Sequence, residues 1–242
     1  DNSQSVVIQS DISLSDNAGA VVSGESDSLI VMSRVHDNSR GIQLSDNARL
    51  QIFGSEIYDN AISAVTAENE SEGDMINNTI AFNGLGVESR DSSSLDIRNC
   101  VFHENAEADL SGCLAEYSRL SSGSGGTGNI FDDPLFVNAA EHDFHLSPGS
   151  PCIDAGIEKD IFYRDIDNDA RPAGGGVDMG ADEAPGLWNF SFQKGAPGWK
   201  VITIPSKYSP PGIRHYDRGS STDLHRYEYL RILGFNRGGN SR

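Results

Sequence analysis

The sequence predicts an all-β fold: a three-sided parallel solenoid with a C-terminal cap, followed by an irregular tail. Three observations predict it. Asn17, Asn38, Asn60, Asn83 and Asn105 recur at separations of 21, 22, 23 and 22 residues. Apolar columns keep the same register, with Ile30, Ile52, Met75 and Ile97 eight residues before the last four asparagines and Val35, Ile57, Ile80 and Phe102 three before. Each period holds three short runs of alternating apolar and polar residues between turn residues, which reads as three strands.

A unit of this size cannot bury its own apolar positions, so successive coils stack and bury them together. Coils one strand spacing apart, about 4.8 Å, place Ile on Ile and Asn on Asn. A side-chain amide both donates and accepts, so stacked asparagines can bond one another and the turn backbone, and Asn tolerates left-handed turn dihedrals.

Residues 1–18 form an incomplete coil in which Leu14 is the counterpart of Val35; a one-residue slip puts Ile8 nine residues before Asn17. Residues 19–40, 41–62, 63–85 and 86–107 form four coils. Ser33, Ser55, Asn78 and Cys100 make a small inward column, and Ala20, Ile42, Val65 and Val87 an apolar one. In the third of these coils Gly73 stands where Leu50 and Leu95 stand in its neighbours, so a bulge is expected there. Residues 108–184 hold the last coil and a capping segment.

The run from Leu95 to Asn105 resembles the repeat of right-handed parallel β-helix proteins of the pectate-lyase-like superfamily. Four stretches, 129–137, 143–156, 165–172 and 174–183, together resemble the C-terminal segment of bacterial secreted and surface β-helix proteins. The resemblance implies that this segment closes the solenoid, with Phe136, Phe144, Leu146, Ile153 and Met179 over its open end. It also implies a secreted or cell-surface protein; because the chain opens already inside a coil, any export signal is expected upstream. Asp182 departs from the family, which usually has an aromatic there, and His145 matches the segment, implying a structural role for it.

Residues 185–242 carry nine basic and three acidic residues, whereas residues 1–184 carry nine and 33. Such asymmetry marks a boundary near Pro185, beyond which lies a basic tail or the start of a further domain. The acidic body argues against nucleic acid as a partner, and no apolar run is long enough to span a membrane. Cys100 and Cys152 read as buried thiols, Cys113 is within reach of Cys100, and without a Cys-x-x-Cys pair the three are not a zinc site.

Asp16, Asp37, Asp59 and Glu104 each precede a repeat asparagine, with Phe82 interrupting. Stacked carboxylates about 4.8 Å apart repel by roughly 1 kcal/mol in water and by more when buried. Asp37 and Asp59 are therefore candidate Ca²⁺ ligands, against the alternative of a solvated turn edge. Asp165, Asp167 and Asp169 are spaced like the opening of a calcium loop, although Ala170 and Gly176 occupy positions six and twelve; the alternative is a hydrogen-bonded turn. His36, Tyr58 and His103, with Ala81 between, make a candidate glycan-facing stripe, and Arg34 beside it can pair with Glu56.

By the resemblance, a lyase needs a Lys or Arg beside a carboxylate-bound cation, and a hydrolase needs converging aspartates. The coils contain no lysine before Lys159. The expectation is a monomeric segment that presents a solenoid face to a polysaccharide or cell-surface component without cleaving it. The alternative is the C-terminal part of a polysaccharide lyase, glycoside hydrolase or epimerase, with its catalytic centre on coils upstream.

Overall fold

The computed structural model describes residues 3–123 and 125–185. The basic tail beyond residue 185 lies outside the described residues. The first coil is β1 (Gln4–Ile8), β2 (Asp11–Ser13) and β3 (Ala18–Ser23); the second is β4 (Asp27–Val31), β5 (Arg34–His36) and β6 (Arg40–Ser45). The third is β7 (Arg49–Phe53), β8 (Glu56–Tyr58) and β9 (Ser63–Ala67); the fourth is β10 (Glu72–Ile76), β11 (Thr79–Ala81) and β12 (Leu85–Ser89). The fifth is β13 (Ser94–Arg98), β14 (Val101–His103) and β15 (Leu110–Ser111), after which β16 (Ala115–Glu116) opens a further turn. Three sheets result, ordered β1-β4-β7-β10-β13-β16, β2-β5-β8-β11-β14 and β3-β6-β9-β12-β15. Neighbours within each are parallel and one coil apart.

The register follows the apolar columns. Ile30, Ile52, Met75 and Ile97 are successive partners, as are Val35, Ile57, Ile80 and Phe102, and all eight are at most 2% exposed. At the second turn Asn38 Nδ2 donates to Asn60 Oδ1 at 3.0 Å, Asn60 to Asn83 at 2.9 Å and Asn83 to Asn105 at 3.0 Å. The same oxygens accept the backbone N–H of the asparagine one coil earlier. These bonds hold the preceding residues, Asp37, Asp59, Phe82 and Glu104, at φ between 49° and 57°, a left-handed conformation that is costly for non-glycine residues.

The first coil differs from its expectation. Ile12, not Leu14, pairs with Val35, Val7 pairs with Ile30, and Leu14 is 82% exposed. Ser15, not Asn17, donates its backbone N–H to Asn38 Oδ1. With Ser13 opposite His36, Ser15 holds the place of Asn38 and Asn17 lies two residues further along the turn, exposed to solvent. The bulge expected at Gly73 does not form, since β10 pairs residue for residue with β7 and β13. A Cβ there would stand 3.0 Å from Leu95 Cδ2, so the neighbouring leucine fills the space.

The C-terminal segment packs on the solenoid, but along its flank rather than over its open end. Ala115 and Leu120 belong to the interior core with Cys113 packed against them, so the last turn closes that end itself. The outward rows explain where the segment goes. Val31, Ile76, Ala81 and Val101 point away from the interior yet are at most 1% exposed. Met179, Leu146 and Cys152 cover Val101, Phe144 covers Tyr58 and Ala81, and Ile166 and Ala181 cover Val31 and Met32. An uncovered apolar face of this size would drive association, and the chain supplies its own cover. All three cysteines are free.

Candidate functional site

The flank segment begins with an antiparallel ribbon of β17 (Phe136–Asn138) and β18 (Asp143–Leu146), joined through a 3-10 turn, Ala139–Glu141. It lies on the stripe proposed from sequence to face a glycan. His36 and Tyr58 do stack, 4.7 Å apart and 1° from parallel. His142 stacks on the same Tyr58 at 4.7 Å, and Phe144 meets it edge-on at 5.5 Å. Tyr58 is left 7% exposed, and burial followed by the nearby Glu56 carboxylate pushes its phenol up to about 12. His103 is enclosed by Phe82 and Phe136, and burial lowers its pKa. The stripe is therefore largely an internal seam and not an open face: Arg34 at its edge keeps 43% of its side chain exposed, whereas His36 and His103 keep 16% and 15%.

The acidic row is also divided. Asp37 Oδ2 lies 2.8 Å from His36 Nδ1 and Asp59 Oδ2 2.7 Å from His142 Nε2, so these two carboxylates face different histidines. The Asp165 carboxylate accepts the amides of Asp167 and Asp169 on Oδ1 and of Glu183 on Oδ2, at 3.1, 2.7 and 3.2 Å. This is the hydrogen-bonded turn that was the alternative for these residues, and it directs Asp167 elsewhere.

Asp167 meets His145. Its Oδ2 lies 2.7 Å from His145 Nε2, while Nδ1 of the same ring faces Asp143 Oδ1. Asp182, next to them, accepts the Leu146 amide on Oδ2 at 2.9 Å. Its Oδ1 is buried without a hydrogen-bond partner. Burial alone would lower the His145 pKa, but Asp182, Asp167 and Asp143 override it and push it up to about 9. Burial raises Asp182 to about 7, although His145 pulls it down. Across the seam Glu56, 3% exposed, is held by Arg34 Nε at 2.6 Å, and burial raises its pKa. The Arg34–Glu56 pair was legible from the repeat. Asp143 and the meeting of β18 with the 165–183 loop were not, because only the fold brings them together.

Beneath this cluster the loop is tied to the coils by turn residues the sequence did not single out. Asn77 Nδ2 donates to Asp178 O, Asn99 exchanges two bonds with Ile157, and Thr79 Oγ1 accepts the Ala181 amide. Arg171 donates to the carbonyls of Asp178, Gly180 and Ala181, with Glu183 3.4 Å away.

The opposite arrangement holds on the first sheet. Its outer face over β4, β7, β10 and β13 keeps two polar rows open, Asp27, Arg49, Glu72, Ser94 and, beside them, Gln51, Asp74, Asp96. They line a shallow cleft of about 560 Å³. Arg49 pairs with Glu72 at 3.1 Å, and Gln51 donates to Asp74 at 3.0 Å.

A family model described as right handed beta helix region matches residues 1–131. No curated protein and no solved structure matches the chain significantly. That match spans more than half of the 242 residues, and the parallel stack of about five coils is the architecture it describes: the chain belongs to the right-handed beta helix family.

Proposed function

We propose that this chain is a non-catalytic segment of a secreted or cell-surface protein that holds an extended polysaccharide weakly along the open face of its first sheet, acting as a monomer. The observation that carries the reading is the pair of polar rows lining the 560 Å³ cleft. Each coil adds a hydrogen-bonding group about 4.8 Å from the last, which suits a polymer with its own repeat. Asp27, Glu72, Asp74 and Asp96 against Arg49 make neutral or cation-bridged glycans better ligands than bare polyanions. This face replaces the His36, Tyr58 and His103 stripe, which the flank covers.

Absence of cleavage is supported by the supply of bases. The coils hold no lysine; Arg34, Arg49, Arg90 and Arg98 are each engaged by a carboxylate, and Arg40 stands on the third sheet, outside the cleft. General-base catalysis needs a group in reach and in the right protonation state, and a paired guanidinium is neither. The test incubates the protein with a panel of plant, algal and animal polysaccharides, following binding together with new reducing ends and unsaturated uronates. Binding to at least one neutral member, weakened by Gln51→Ala with Arg49→Ala and accompanied by no new ends, is the expected result. Turnover of any member overturns it in favour of a lyase or hydrolase.

A further inference from the structure

The flank holds a group of side chains whose arrangement goes beyond packing. His145, Asp167 and Asp182 each offer a ligand atom, and the three atoms lie within 4.8 Å of one another. Bonds of about 2.0–2.2 Å from imidazole nitrogen and carboxylate oxygen put ligand atoms on one ion roughly 3–4 Å apart, so the group closes on a cation with small adjustments. A second observation points the same way. Asp182 is 2% exposed, and its Oδ1 has no partner, although a buried carboxylate oxygen without one is costly and rare in native proteins.

We propose that His145, Asp167 and Asp182 form a binding site for a first-row divalent transition-metal ion such as Zn²⁺ or Mn²⁺. The donor set selects the class: one imidazole nitrogen with two carboxylates favours these ions over Ca²⁺ and Mg²⁺, which prefer all-oxygen shells. His145 Nδ1 faces Asp143, the outer-shell carboxylate that commonly fixes a ligating imidazole and leaves Nε2 to the metal. Ligation exchanges the Nε2 proton for the cation and releases it to solvent. Three protein ligands leave a coordination position for water, and the 25% exposed Asp167 side chain marks the way in. The ion would rivet β18 to the loop at Asp167 and to the stretch at Asp182, three segments of the flank that meet at this point.

The experiment uses the full 242-residue chain, stripped with chelator and titrated separately with Zn²⁺, Mn²⁺ and Ca²⁺ by calorimetry, with melting temperature as a second readout. One Zn²⁺ or Mn²⁺ per chain, a raised melting temperature, and weaker binding of Ca²⁺ are expected. Asp143→Asn should weaken the affinity about 10–100-fold, and His145→Gln and Asp182→Asn by more. His142→Gln, at the histidine just before Asp143 that faces Asp59 instead of this cluster, should leave it unchanged. Should Asp182→Asn fail to fold, Asp167→Asn, at a more exposed ligand, takes its place. Absence of Zn²⁺ and Mn²⁺ binding, Ca²⁺ bound as tightly as either, or binding that survives the ligand variants or is lost in His142→Gln would each overturn the site.

Discussion

Two regions of this molecule satisfy their backbones by opposite means. In the coils, strand pairs with strand and one small set of side chains is repeated, so each role is held by several residues in a column. Between residues 147 and 184 the described chain has no strand apart from one isolated bridge, Arg164 with Ala170. There buried carboxylates accept the amides: Asp165 those of Asp167, Asp169 and Glu183, Asp178 those of Asp154 and Ala184, and Glu183 those of Ala173 and Asp178. Arg171 donates to the carbonyls. The difference teaches where fragility sits. A repeat shares its load among equivalent positions, whereas the flank places each function on one ionisable residue.

The sharpest way to break the comparison is Arg171→Met. Arg171 and Glu183 side chains are both fully buried, and removing one member of a buried charged pair typically costs about 3–5 kcal/mol because the other charge is left uncompensated. Denaturant unfolding should show a loss of that order, and a loss below 1 kcal/mol would mean the flank tolerates substitution as the coils do.

Next in size is Asn60→Ala, which removes donors to Val35 O, Tyr58 O and Asn83 Oδ1 and the acceptor for Asn38. A cost of about 1–3 kcal/mol is expected, the penalty for leaving buried polar groups unmet. Asn17→Ala, at the same place in the sequence repeat but exposed, should stay within about 0.5 kcal/mol. Equal losses from the two would contradict the register of the first coil.

A third contrast is a slope with pH. His145 has its folded pKa raised to about 9 by Asp182, Asp167 and Asp143 acting against burial. Its contribution is therefore full below about 6.5 and is lost as pH rises through 9. Burial, and then Glu183 against Arg171, raises Asp178 to about 8; burial raises Asp182 to about 7, with His145, Asp165 and Arg171 around it. A carboxyl raised in the folded state loses stability as pH rises past its unfolded value, so all three groups act in one direction. In chelator, the melting temperature should fall from pH 6.5 to 9, and His145→Gln should flatten the slope. A wild-type protein more stable at pH 9 than at 6.5 would refute this.

These contrasts also mark what was readable in the sequence. The columns Ile30 to Ile97 and Val35 to Phe102, and the cross-coil pair Arg34–Glu56, were legible because parallel stacking turns a fixed sequence interval into a spatial contact. Asn17 misled because its spacing fits the period, whereas the register puts Ser15 in the asparagine column and leaves Asn17 two residues further along an exposed turn. The flank's place was not legible. Phe136, Phe144, Leu146 and Met179 announce an apolar surface to cover, but an end and a side need the same residue types. Tyr58 and His103 looked like a sugar-facing stripe for a related reason: an aromatic ring reads alike whether a ligand or the protein's own chain covers it. His145, Asp167 and Asp182 come from stretches with no common period, so only the fold could bring them together.

The bonds from Asn77 to Asp178 and from Ala181 to Thr79 join residues 101 and 102 apart in sequence, whereas most coil contacts span about 22. A bare solenoid behaves as a row of units, each coupled to its neighbours, and can melt from an end. The flank touches Met32 on one coil, Thr79 two coils further on and Val101 on the next, so it couples units that have no other contact. That makes the row cooperative, at the expense of speed, because closing a loop of a hundred residues gains nothing until the coils it docks on exist. Folding then runs from the stack to the brace, and hydrogen exchange should find the brace lifting before any interior coil opens.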